Sequence, residues 1–167
     1  KMGEIVGDLL ADQVNSGGAD VVQIFDTWAG LLSNEDYRNL SQIATEKAIQ
    51  VFREKSKKFV PLIHYAKGSG HLHNQIRDMD IQGLSLDWRD DMRYNRENYG
   101  EMIAFQGNLD PSKLHGSTDV AKEAAARVLK VAGGKPGHIF NLGHGFAPSA
   151  RIDCVEAVIR TVCGDVP

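Results

Sequence analysis

Cysteine is scarce in these 167 residues: there are two, Cys154 and Cys163. They sit nine apart in one expected helix, which is half a turn out of phase, so they occupy opposite faces and cannot join in a disulfide or grip one metal ion. A thiolate zinc site is thereby excluded, no metal site is expected, and a reducing compartment suits the chain. An excess of one charge is missing too. Nineteen Lys and Arg against 22 Asp and Glu leave a formal charge of −3, which offers nothing to a polyanion, so no nucleic-acid partner is expected. Lys55, Lys57 and Lys58 cluster, but they close a helical stretch, where cations complement the helix dipole. No apolar run approaches membrane-spanning length, and Lys1-Met2-Gly3-Glu4 does not open a signal peptide. The expected protein is soluble, cytoplasmic and without membrane contact. Phosphate-binding loops are absent as well: Gly68-Ser69-Gly70 lacks the third glycine of the dinucleotide fingerprint and the Lys-Ser/Thr ending of a Walker loop. No nucleotide or other cofactor is expected.

What is present is an alternation. Short apolar runs at 20–25, 59–65, 83–88, 102–106 and 138–142 read as strands. Helical periodicity fills the gaps at 2–15, 34–57, 71–78, 90–98, 119–132 and 153–162, with Ser33 and Asn34 as a cap and Gly17-Gly18 as a stop. Strands separated by helices, with no hairpin dipeptides between them, predict an α/β fold of parallel strands with covering helices. The length suits one domain over 1–167, and no repeat or linker interrupts it.

Ligands of parallel α/β sheets and barrels meet the C-terminal strand ends. Polar and aromatic residues recur there: Phe25-Asp26-Thr27-Trp28, Tyr65-Ala66-Lys67, Asp87-Trp88, Gln106-Gly107-Asn108 and, after the last strand, His144 between Gly143 and Gly145. Those glycines let the backbone take unusual dihedrals and come close to a ligand, and His144 can carry hydrogen bonds or a proton near neutral pH. Asp26 suits helix capping as well as a site. Asp110-Pro111 reads as a helix start with proline at its first position, and Asp87 as a buried, satisfied carboxylate. His71 and His73 fall on a helical pattern that separates them, so both are expected at the surface.

Taken in order, Gln23-Ile24-Phe25-Asp26-Thr27-Trp28-Ala29-Gly30, Leu86-Asp87-Trp88, Gln106-Gly107-Asn108-Leu109-Asp110-Pro111 and Asn141-Leu142-Gly143-His144-Gly145 resemble the C-terminal half of the uroporphyrinogen decarboxylases, from about Gly17 to Val162. The resemblance implies the C-terminal half of a (β/α)8 TIM-type barrel, in a family that is normally homodimeric and uses neither metal nor organic cofactor. It implies a tetrapyrrole substrate, uroporphyrinogen, whose four acetate arms become methyl groups with release of carbon dioxide. Protonation of the pyrrole ring would accept the electron pair that each departing carboxyl leaves behind. On this resemblance Thr27 and His144 contact substrate carboxylates and Phe25 packs against the macrocycle.

The family's arginine-rich loop, its pyrrole-facing aspartate and its tyrosine belong to the N-terminal half and have no counterparts here. The general acid is therefore assigned to no residue of this chain, and little activity is expected of it alone. The start at Lys1 and the stop at Pro167 are read as those of a fragment, whether from truncation, proteolysis, a split gene or an incomplete gene product. Two other readings stand beside this one. A half-barrel could serve as a non-catalytic module that pairs through its unpaired sheet edges. A corrinoid or cobamide methyltransferase would bind zinc through His-x-Cys, but the matching positions read His64-Tyr65-Ala66.

Overall fold

Five short strands alternate with helices in the computed structural model, which describes residues 1–164: β1 (Val22–Phe25), β2 (Leu62–Tyr65), β3 (Gly83–Ser85), β4 (Ala104–Gln106) and β5 (His138–Ile139). The α/β class follows from that alternation. Each strand lies inside the run read from the sequence and is shorter than it, because the apolar runs continue into turns. After β3, for example, the Asp87 N–H leaves the ladder and donates to the Asp90 carboxylate at 3.0 Å. The chain divides into two compact units, Lys1–Leu84 and Ser85 onward, with the boundary inside β3.

In the first unit α1 (Met2–Asn15) packs closely on α3 (Ile43–Lys55). Glycines permit the approach: a Cβ on Gly3 would stand 2.4 Å from the Ala44 carbonyl oxygen, and one on Gly7 2.6 Å from that of Ala48. β1 pairs in parallel with β2, Val22 opposite Leu62 and Phe25 opposite Tyr65, and all four residues of β2 are buried. The Gln82 N–H continues the ladder from β2 toward β3 by donating to the Leu62 carbonyl at 2.9 Å. Arg53 braces this edge: it donates to the Asp80 carboxylate and the Val60 carbonyl, each at 2.8 Å, while its guanidinium lies over Phe59.

The sequence suggests one helix over 34–57. Instead Ser33 caps a short turn, α2 (Asn34–Asp36), residues Tyr37–Gln42 wind as a π-helix, and only then does α3 begin. Apolar spacing of three and four residues cannot separate a π-turn from an α-turn, so the register change was invisible to periodicity. The segment buries Tyr37 completely. Near the end of the unit, Gly70–Leu72 forms a 3₁₀ turn leading into α4 (His73–Arg77). His71 is exposed as expected, but His73 is buried, because the turn rotates it inward beside the buried Leu72 and Ile76.

In the second unit the Leu86 N–H donates to the Gln106 carbonyl of β4 at 2.8 Å, and β4 pairs in parallel with β5, Phe105 opposite His138. A further parallel bridge joins Leu109 to Leu142. Asp91 caps α5 (Met92–Tyr99), and Ser117 caps α6 (Thr118–Ala132), which stops at Gly133 in the left-handed region. The Asp110-Pro111 start is borne out: Asp110 accepts from the Ser112 N–H, and proline opens the 3₁₀ turn Pro111–His115. The core gathers Leu109, Leu114, Ala121, Ala124 and Ala125 with Cys154 and Val158 of α7 (Ile152–Cys163). Alanines on the α6 face let α7 come close. Cys154 is buried and Cys163 exposed, on opposite faces of α7 as the spacing requires.

Candidate functional site

β1 alternates, with Val22 and Ile24 buried while Phe25 is 69% exposed at its C-terminal end. The Phe25 ring meets the Tyr65 ring edge-on, with centroids 6.0 Å apart. Thr27 follows, half-buried, in the turn that the Ala29 N–H closes on the Asp26 carbonyl at 3.2 Å. Gly30 explains the small-residue ending of this motif, since a Cβ there would lie 2.1 Å from the Lys67 carbonyl oxygen. The loops after β1 and β2 thus touch backbone to backbone.

Asp26 is not a helix cap. Its carboxylate accepts the Ser41 hydroxyl of the π-helix, and its N–H donates to the Tyr65 carbonyl at 2.8 Å. On the same side of the unit lies a polar core that sequence reasoning missed. His64 is fully buried and neither ring nitrogen has a hydrogen-bond partner. Burial pushes its pKa down to about 4, with the Asp26 charge pulling the other way. The Tyr37 hydroxyl is buried without a partner too, and burial, then the charges of Asp26 and Glu46, raise its pKa. Only the odd placement of a histidine in the apolar run Leu62-Ile63-His64-Tyr65 could have signalled this.

In the second unit Asp87 is fully buried and takes the fork of Arg89, whose Nε donates at 2.9 Å and Nη2 at 2.5 Å. Its carboxylate is satisfied, as expected. The Asn108 amide donates to the carbonyls of Asp87 and Asp90, each at 2.9 Å, which fastens the loop after β4 to the loop after β3. Burial lifts the Asp90 carboxyl to about 6; the Asp87 N–H opposes this, the Asp87 charge adds to it, and the Arg89 charge opposes it. A hollow of about 290 Å³ opens beside Trp88, Asp90, Asn108 and Lys113.

His144 does not line that hollow; it lies half-buried against Trp88, ring centroids 6.3 Å apart and planes at 31°. The Arg89 guanidinium covers Trp88 at 4.8 Å. Gly143 is needed for proximity and not for its dihedral angle: it lacks a positive φ, but a Cβ would stand 2.2 Å from the Trp88 nitrogen. Its N–H donates to the Leu109 carbonyl at 2.8 Å. Arg89 is the residue of this site that the sequence motifs passed over, although its position two after Asp87 was a signal. Phe25 and Thr27 therefore stand at a strand end of the first unit and His144 after the last strand of the second. Among the described residues no three His, Cys, Asp or Glu side chains are grouped to hold a metal ion, and no helix is long and apolar enough to cross a membrane.

The family model described as uroporphyrinogen decarboxylase matches residues 1–164. The chain belongs to the uroporphyrinogen decarboxylase family. A uroporphyrinogen decarboxylase of Coxiella burnetii is 41% identical over 150 residues, covering 87% of this chain and 40% of the relative. One from Saccharophagus degradans is 39% identical over 163 residues, covering 93% and 46%. The chain thus spans less than half the length of these curated relatives, and it aligns to their C-terminal part. A solved structure of a methyltransferase from Methanosarcina mazei superposes with a TM-score of 0.77 at 21% identity, covering 95% of this chain and 46% of that one. That likeness speaks for the family's barrel-type fold, of which this chain holds a half.

Proposed function

We propose that this chain is the C-terminal half of a uroporphyrinogen decarboxylase, which removes the carboxyl groups from the four acetate arms of uroporphyrinogen to give coproporphyrinogen and carbon dioxide. The observation that carries the reading is the family match over residues 1–164, joined to the strand-end placement of Phe25, Thr27 and His144. Thr27 and His144 donate hydrogen bonds to substrate carboxylates, and the exposed ring of Phe25 packs on the macrocycle. In each decarboxylation the bond between the arm's methylene carbon and its carboxyl carbon breaks. The electron pair moves into the protonated pyrrole; a proton then adds to the methylene carbon to complete the methyl group while the ring gives up the proton it had taken, so each turn consumes one proton. The proton donor and the groups facing the pyrrole nitrogens belong to the N-terminal half. The working protein pairs this chain with that half, as a homodimer in the cytoplasm, and needs neither metal nor organic cofactor.

Assay of coproporphyrinogen formation tests the reading. The chain alone gives little or no product, and addition of the N-terminal part of a relative restores it. Turnover by the isolated chain at the rate of a full-length relative, lost in His144→Ala, would place the catalytic groups here and overturn the division of labour.

A further inference from the structure

Helix α1 has three faces. Gly3, Gly7, Leu10, Ala11 and Val14 are buried, and its glycines lie against α3. Glu4, Asp8 and Asp12, at a spacing of four, form an acidic side on which Asp8 pairs with Lys55. The third face is apolar and uncovered within the unit: Met2, Ile5 and Leu9 are 70%, 57% and 57% exposed. Their spacing, i, i+3 and i+7, is that of a helix seam. Three large apolar side chains in one row of a 14-residue helix form a patch rather than scattered surface residues.

Resting on the proposed pairing of halves, we infer that the Met2–Ile5–Leu9 row of α1 is the seam along which the N-terminal half docks. The extent of chain that the relatives carry ahead of the matched segment argues for this occupant. The Coxiella burnetii relative has only 40% of its length in the match, and the match falls in its C-terminal part, so more chain precedes the seam than follows it. α3 already fills the glycine face, where added side chains would strike the Ala44 and Ala48 carbonyls, so the row points away from it and needs a neighbour from outside the described residues. That neighbour is a helix with apolar residues at matching intervals, interdigitating with the row.

Thiol labelling tests the seam without using activity. Ile5→Cys, Leu9→Cys and, as a control on α3, the exposed Gln50→Cys are each placed in a Cys163→Ser background. Each is made in this chain alone and in a chimera where this chain replaces the matched segment of the Coxiella burnetii relative. The seam predicts that maleimide labelling at positions 5 and 9 slows at least tenfold in the chimera while position 50 is unchanged. Equal rates in the two contexts would overturn it, as would a chimera that yields no soluble protein. Concentration-dependent protection of the isolated chain would overturn it in favour of a second copy of this chain. A protected seam in a chimera that makes no coproporphyrinogen would leave the docking intact and remove the decarboxylase reading instead.

Discussion

The imidazole of His144 lies over the indole of Trp88, ring centroids 6.3 Å apart and planes inclined by 31°. Gly143 makes this contact possible, because the chain before His144 passes so close to Trp88 that a Cβ would fall 2.2 Å from its backbone nitrogen. Neighbouring residues of one motif therefore have separate duties: Gly143 sets the approach, and His144 presents the ring.

The first prediction separates those duties. Gly143→Ala forces the backbone away from Trp88 and costs about 2 kcal/mol or more, in the range of overpacked sites. His144→Ala removes only a half-buried side chain and costs about 1 kcal/mol or less. Urea unfolding followed by circular dichroism reads both; equal stability of Gly143→Ala and wild type would contradict the packing argument.

His64 makes stability depend on pH. Its folded pKa, about 4, lies below its unfolded value near 6.5, so the unfolded chain takes up the proton first as pH falls. This contribution is full above pH 6.5 and is lost progressively between there and about 4; the whole span corresponds to about 3 kcal/mol. His64→Phe, which also removes two unpartnered buried nitrogens, flattens that part of the profile and holds or raises stability at pH 7. An unchanged pH slope in the variant would show that His64 is not the group responsible.

Asp90 has the opposite sign. Its carboxyl is lifted to about 6, so the folded state binds the proton more tightly, and lowering the pH from about 6 toward the ordinary carboxylate range near 4 adds stability from this group. Asp90→Asn keeps an acceptor for the Asp87 N–H without the charge and raises stability at pH 7 by about 1 kcal/mol. Thermal melts at pH 5 and pH 7 check it, and a gain equal at both pH values would be inconsistent with a charge effect.

Asp87→Asn leaves the Arg89 fork without its buried carboxylate. Because Arg89 is half exposed and can turn to water, the expected loss is about 2 kcal/mol rather than the larger cost of a wholly buried broken pair. Arg89→Lys, which cannot span both oxygens, falls between the two. A double-mutant cycle with no coupling between positions 87 and 89 would show that the pair is incidental.

Much of this was legible in the sequence because local signals agreed with the fold. The strand runs, the Ser33 cap, the Asp110-Pro111 start and the phase of Cys154 and Cys163 each rest on rules that act within a few residues. What escaped depends on packing between distant segments. The π-helix of Tyr37–Gln42 keeps apolar spacing close to that of an α-helix; His64 is buried because all four residues of β2 are enclosed, and His73 because the turn before α4 rotates it inward. Gly143 was noticed, but its reason, the proximity of Trp88 some 55 residues earlier, has no local trace. The motif words at the strand ends carried the family; the partners of Asp26 and Asp87 came only from three dimensions.

The most direct test of the account is product formation by this chain combined with the N-terminal part of the Coxiella burnetii relative, with coproporphyrinogen separated and quantified. The account predicts that the combined protein makes product and that His144→Ala and Thr27→Ala each lower kcat/KM at least tenfold, about 1.4 kcal/mol of transition-state stabilisation, while leaving the fold intact. A folded combination that makes no coproporphyrinogen, or one whose rate is indifferent to both substitutions, would contradict it.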